Sequence, residues 1–289
     1  DPETAAYARN LGIAYLHTGQ DEEAVYHLCY ATEMTPDHAE WHCDLGRALS
    51  AGGKHAEALA EYQAALALDA SQGNYHYGVG HALYHLDEHV QALEALSQAV
   101  VLAPSHADAQ NQMGVVYEAL GEIKKARDKY LLACALDPDQ AVYYHNLGAV
   151  QSQLEETGPA LETLQHAIQL DPDYGGAYSQ QGQVYEQMGA YEDALVAYQK
   201  ALELEPDVGE HTLRVGAVCQ KLNHNDRALE LLRAAQATIP HDPRVHFHLG
   251  LTYAGQGDLA KALSAHRQQH FDESRKLCQR FLRKHSDHK

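Results

Sequence analysis

The sequence predicts an all-α protein, a solenoid of eight 34-residue helical hairpins closed by a C-terminal capping helix. Three observations predict it. A glycine–alanine pair recurs eight times at a fixed 34-residue period, prolines mark most of the unit ends, and β-branched residues are sparse among abundant Ala, Leu, Gln, His and Tyr. A unit of two amphipathic helices cannot bury its apolar face alone, so repetition at this length implies stacking.

The pair begins as Gly12 and Ala24 and returns as Gly46/Ala58, Gly80/Ala92, Gly114/Ala126, Gly148/Ala160, Gly182/Ala194, Gly216/Ala228 and Gly250/Ala262. Seven residues further on stands another small residue (Ala31, Ala65, Ala99, Ala133, Ala167, Ala201, Ala235), with a large side chain between: Leu28, Tyr62, Leu96, Tyr130, Leu164, Tyr198 or Leu232. The glycine and alanine let the two helices of a hairpin approach closely, and the leucine or tyrosine fills the space beside the contact. Gly19, Gly53, Gly121, Gly189 and Gly257 share one register position and mark the turn inside the hairpin. The fifth and seventh repeats are expected to vary that turn, through Glu155-Glu156-Thr157-Gly158-Pro159 and Asn223-His224-Asn225-Asp226.

Unit ends are marked by Pro36, Pro104, Pro138, Pro172, Pro206 and Pro240, with Ala70 and Ser274 as exceptions. The residues after them (Asp37, Ser105, Asp139, Asp173, Asp207) read as caps of the next helix, and Asp242-Pro243 as a cap with proline at the first helical position. This divides the chain into a short lead (1–4) and repeats at 5–38, 39–72, 73–106, 107–140, 141–174, 175–208, 209–242 and 243–276. The segment 272–285, with Leu277, Phe281 and Leu282 among Arg275, Lys276, Arg280, Arg283 and Lys284, reads as the capping helix over the last hairpin.

The formal charge of -19 excludes a general nucleic-acid binder, because phosphate contacts need clustered cations. Its distribution is uneven. No Lys or Arg occurs from His55 to Ile123 or from Tyr130 to Gln199, whereas eight basic residues follow Ala260. This favours a protein or peptide partner carrying basic segments, drawn to the middle of the array. The five cysteines form no CxxC and no zinc spacing, which favours a reducing, cytoplasmic setting. No apolar window is long enough to insert in a membrane. The chain opens on Asp1-Pro2 rather than Met, so a removed leader or anchor stays open.

With a glycine followed three residues on by Tyr15, Tyr117, Tyr185 or Tyr253, the recurrent small residues and the terminal prolines, the repeat resembles the tetratricopeptide repeat (TPR) family from about Ala5 to Lys276. The first aromatic of that pattern appears only as Tyr144 and Tyr178, with His42, His76 and His246 in its place elsewhere, and Gln181 stands where an apolar residue is expected. The resemblance implies a right-handed superhelix whose first helices line a concave face that holds protein segments. It does not extend to the carboxylate clamp of chaperone-tail-binding arrays. Arg9 and Asn10 begin that pattern, but Cys43, Asp44 and Arg47 break it and the third repeat has no cation. Arrays that precede glycosyltransferase domains carry repeated groove asparagines, here only sporadic as Asn10, Asn111 and Asn146.

On that implied geometry, positions two, five, six, nine, twelve and thirteen of each repeat face the groove. They nominate Arg9, Asn10 and His17; Asp44 and Arg47; Asn74, Tyr77, His81 and Tyr84; Asn111 and Glu118; His145 and Asn146; and Gln183 and Glu186 as peptide-binding residues. The set is rich in hydrogen-bonding groups, with tyrosines to pack against a bound segment.

No enzyme is expected. His81 and His85 share a helix face, but no HExxH, Cys/His cluster, nucleophile elbow or phosphate-binding glycine loop accompanies them, so no catalytic residue, metal or cofactor is assigned. The expected function is an adaptor or scaffold that holds a polypeptide in the groove. The alternatives are a self-assembly module that forms homo-oligomers and the substrate-recruiting region of a larger enzyme.

Overall fold

The computed structural model describes residues 2–267, and the basic segment read as a capping helix (272–285) lies outside them, as do Ser274 and the end of the eighth repeat. The described residues form sixteen α-helices in hairpin pairs. The first-repeat pair is α1 (Pro2–His17) and α2 (Asp21–Met34), followed by α3 (Ala39–Ala51) with α4 (His55–Leu68), α5 (Gly73–His85) with α6 (His89–Leu102), and α7 (Ala107–Ala119) with α8 (Ile123–Leu136). Next come α9 (Ala141–Gln153) with α10 (Thr157–Leu170), α11 (Gly175–Gln187) with α12 (Tyr191–Leu204), α13 (Gly209–Lys221) with α14 (Asn225–Thr238), and α15 (Pro243–Gly255) with α16 (Leu259–Arg267). The chain divides into two compact units, Asp1–Tyr143 and Tyr144–Lys289, and within each the hairpins pack side by side.

The repeat signature maps onto one contact. A side chain added at Gly12, Gly80 or Gly148 would lie 2.6 Å from Cγ of Leu28, Leu96 or Leu164. At Gly46, Gly114 and Gly182 it would lie 2.5–2.8 Å from the ring of Tyr62, Tyr130 or Tyr198. The glycine therefore receives the second helix's large side chain, with the alanine carbonyl (Ala24 O, Ala92 O) just behind it. These leucines and tyrosines and their flanking alanines are buried. Each such leucine contributes roughly 1.5–3 kcal/mol by burial.

All eight hairpins turn in the same way. The residue at the turn position has positive φ: Gly19, Gly53, Gly121, Gly189 and Gly257, but also Asp87, Glu155 and Asn223 at 61–62°. In every case the next residue donates its N–H to the carbonyl five positions back, at 2.8–3.0 Å (Gln20 to Tyr15, Glu156 to Gln151, His224 to Cys219). This satisfies an orphan carbonyl at the end of the first helix. The expected variation of the fifth and seventh turns is thus one of residue, not of backbone. The flanking helices hold Asp87 and Glu155 in a conformation that glycine takes without strain.

The caps differ from expectation. Asp37, Ser105, Asp139, Asp173 and Asp207 lie one residue outside the N-cap, which is occupied instead by residues such as His38, His106, Tyr174 and Val208. The aspartates that act at these junctions close the preceding helix: Asp69, Asp137 and Asp171 accept from the N–H groups of Ser71, Asp139 and Asp173. A short acidic side chain two residues ahead forms this local turn. Asp242 does cap α15, accepting from Arg244 N at 2.8 Å with Pro243 at the first helical position. The histidines that replace the family's first aromatic have a related use. His42, His76 and His246 donate from Nε2 to the carbonyls of Pro36, Ala70 and Pro240, six residues earlier, tying each first helix to the end of the preceding hairpin.

Gly114→Ala is expected to lower stability by roughly 1–3 kcal/mol through overpacking on Tyr130. Gly255→Ala, at the last residue of α15 with nothing closer than 3.6 Å to the added carbon, should instead raise it by up to about 1 kcal/mol as a helix gains alanine. Urea denaturation of both variants measures the pair, and equal effects at the two sites would contradict the packing assigned to Gly114.

Candidate functional site

The nominated groove residues lie on the first helices, and the structure gathers them into separate groups within each unit. In the unit Asp1–Tyr143, Asp44 is buried and accepts from Arg9 Nε at 2.7 Å, while Arg47 approaches its other oxygen at 3.5 Å. Arg9 also reaches Glu40 at 2.7 Å. Burial raises the Asp44 pKa, and the two arginines oppose that shift. Beside this ion-pair group a cleft of about 470 Å³ is lined by Glu40, Cys43, Asp44 and Arg47 on α3, Tyr62 on α4, Asn74, Tyr75, Tyr77 and Gly78 on α5, and His106 and Asp108 at the start of α7. Tyr77 is half-buried with its pKa pushed up to about 12 by burial and the Asp108 charge, so its hydroxyl stays protonated. Asp108 accepts from the Tyr143 hydroxyl at 2.5 Å. His106 caps α7 through Nδ1, and burial lowers its pKa.

A second, open depression of about 580 Å³ adjoins the same helices, lined in part by Arg47, His55, Tyr77, His81 and His85. The rings of His55 and His85 stack at 4.2 Å, and His81 lies 4.7 Å from His85 and 6.3 Å from His55. Burial, followed by the nearby His85 and His55 rings, lowers the His81 pKa to about 4. Sequence spacing pairs His81 with His85; His55 comes from the turn of the preceding hairpin and is brought in only by stacking. Among the described residues no group of three or more His, Cys, Asp or Glu side chains is arranged to hold a metal ion.

Glu118 and Glu186, equivalent positions two repeats apart, have a second occupation. They accept hydrogen bonds from the buried Tyr130 and Tyr198 hydroxyls at 2.6 and 2.7 Å. In the second unit Glu186 also receives Lys221 Nζ at 2.7 Å, and Glu210 joins Arg214 (2.7 Å) to Arg244. Burial raises the Glu210 pKa, but the hydrogen bonds from Arg244 and Arg214 outweigh it and hold it below the ordinary value. His248 lies against this group in a small cavity of about 230 Å³; burial and then the Lys221 charge lower its pKa to about 4.

Of the other nominated residues, His145 contacts Asn146 at 3.3 Å and its ring lies 5.1 Å from that of Tyr174. Tyr84 packs against His85 and His89. Asn10, His17 and Asn74 are exposed, and Asn111 and Gln183 are half-buried. Sequence reasoning did not single out Gly78, His106, Lys221, Arg244 or His248 as site residues. Period-34 alignment of the polar positions reveals Gly78 as the one glycine at position six.

Tetratricopeptide repeat models match residues 27–75, 43–107, 80–141, 141–174, 176–208 and 220–266. The chain belongs to the tetratricopeptide repeat family. Its fold class is the all-α solenoid of such repeats, whose members generally mediate protein–protein interaction and scaffolding rather than catalysis. A chain of the APC/C hetero-tetramer Cut9–Hcn1 is similar at 18% identity and a TM-score of 0.72, over 87% of this chain and 48% of that one. This chain therefore spans about half the length of that relative. PilF of Pseudomonas aeruginosa is similar at 20% identity and a TM-score of 0.61, covering 71% of this chain and 93% of its own. A tetratricopeptide repeat protein from Parabacteroides merdae ATCC 43184 is similar at 16% identity and a TM-score of 0.64, covering 86% and 99%. At these identities the likenesses concern the fold. No curated protein matches the chain. Among the described residues no helix is long and apolar enough to cross a membrane.

His81 and His248 fold with pKa values near 4, below the ordinary histidine value of about 6.5. The unfolded chain binds more protons in that interval, so their contribution is full above about pH 6.5 and falls as the pH drops toward 4. The melting temperature of the wild type should fall more steeply over that window than that of His81→Asn. Parallel slopes would contradict the burial assigned to this ring.

Proposed function

We propose that this chain is a non-enzymatic adaptor that holds a polypeptide segment against its first-helix face. The observation that carries the reading is the cleft on α3, α5 and α7, where carboxylates, amides and tyrosines surround a space large enough for side chains of a bound segment. Asn74 is exposed and offers both donor and acceptor to a peptide backbone, while Tyr77 supplies an aromatic wall. Recruitment of a substrate to a larger enzyme would use the same face. Free thiols at Cys29, Cys43, Cys134 and Cys219 fit a reducing, cytoplasmic setting.

Self-assembly is the second reading, favoured by apolar side chains on the second helices. Val90 is 63% and Val101 70% exposed on α6, and a broad trough of about 1020 Å³ runs beside Val90 and Leu93. Such patches mark contact surfaces when they are contiguous.

A photo-crosslinking residue placed at Asn74 or at Val101 separates the two. The adaptor reading expects adducts with a foreign polypeptide from Asn74 and few from Val101. Adducts between copies of this chain from Val101, with mass rising with concentration in sedimentation, would favour self-assembly instead.

A further inference from the structure

Position six of the repeat is polar and filled in seven of the eight hairpins: Asn10, Asp44, Gln112, Asn146, Gln180, Arg214 and His248. In the third it is Gly78. The structure gives the reason, since a side chain there would collide with the Tyr62 ring. Tyr130 and Tyr198 send their hydroxyls to Glu118 and Glu186, but the position equivalent to those glutamates in the second repeat is Ser50, and the Tyr62 ring packs against both Gly46 and Gly78. The Tyr62 ring takes the place where a side chain at Gly78 would begin, and Tyr62, Gly78, Tyr75 and Tyr77 together line the 470 Å³ cleft.

The charges around this cleft do not balance. Three carboxylates (Glu40, Asp44, Asp108) face two guanidinium groups, Arg9 and Arg47. Asp44 engages both arginines, Glu40 shares Arg9 through Oε1, and Asp108 uses Oδ1 for the Tyr143 hydroxyl. The second oxygens of Glu40 and Asp108 remain. Among the described lining residues Arg47 is the one Lys or Arg, the sequence has none from His55 to Ile123, and burial lowers the pKa of His106.

We infer that this cleft is a specificity pocket for an arginine side chain of the bound polypeptide. One arriving guanidinium brings the local charge to neutrality. Its planar face suits the tyrosine walls, and its fork of donors can reach two separate carboxylates, which an ammonium group does less well. The inference rests on the adaptor reading and adds the identity of the residue that the groove selects.

The probe is N-acetyl-arginine amide, titrated into the full chain carrying isotope-labelled tyrosine and followed by NMR. N-acetyl-citrulline amide, similar in shape but uncharged, is the control. Saturable shifts of cleft tyrosines are expected with arginine, with binding weaker by about two- to fivefold for citrulline, as for loss of one solvent-accessible charge pair. Asp108→Asn retains an acceptor for Tyr143 but should weaken arginine binding by a similar factor. Asn74→Lys, at an exposed position, should compete at the mouth and do the same without altering the melting temperature. Equal binding of citrulline, absence of saturable arginine shifts, or indifference to both substitutions would overturn the inference. If segments crosslinked at Asn74 contain no basic residue at the contact, the arginine pocket fails while the adaptor reading stands. Absence of any polypeptide adduct would sink the adaptor reading, whatever the free amino-acid amide does.

Discussion

The contact between a first-helix glycine and a second-helix leucine or tyrosine sets the geometry of the first seven hairpins. With no side chain at Gly12, Gly46 or Gly114, the opposing Leu28, Tyr62 or Tyr130 comes within a distance that a methyl group would obstruct. The small residues Ala24, Ala58 and Ala126 keep the second helix close enough for the fit. Side chains three or four positions away on the first helix then have fixed directions, which is how a packing constraint becomes a patterned surface.

Alternation of leucine and tyrosine at this contact has consequences for the surface. A leucine ends in the core. A tyrosine carries a hydroxyl that must be satisfied, and Glu118 and Glu186 bend toward Tyr130 and Tyr198 to satisfy it. These glutamates are therefore part of the hairpin as well as of its face, and Glu186 extends the connection to Lys221 on the next first helix. Where Ser50 replaces the glutamate, the Tyr62 ring packs on Gly78 and the face opens into a cleft. The same substitution pattern thus produces an ion-paired surface in one hairpin and a cavity in another.

Much of the fold was legible in the sequence because periodicity and packing use the same residues. Gly–Ala spacing, Leu28/Tyr62-type positions and the Asp242-Pro243 cap all correspond to the structure. The turns were harder. Asp87, Glu155 and Asn223 adopt the glycine conformation because the helices on either side impose it, a tertiary effect that composition does not report. The caps were misplaced by one residue because an aspartate beside a proline resembles a cap, while Asp69, Asp137 and Asp171 turn the chain from the other side. At the candidate site, residue positions on the first helices followed from the register. The grouping of His55 with His81 and His85, and the relation between Ser50, Tyr62 and Gly78, depend on ring orientation and could not be read from spacing.

The surface that results has a charged, buried anchor in Asp44, aromatic walls in Tyr75 and Tyr77 and a cleft beside them that Tyr62 and Gly78 also line. The most direct measurement of its role is a crystal structure of the chain with a polypeptide selected for binding to it. The account predicts that the segment runs across α3, α5 and α7 with a side chain inserted over Gly78 toward Tyr62. A segment seated on α4, α6 and α8, with the Gly78 cleft vacant, would contradict it.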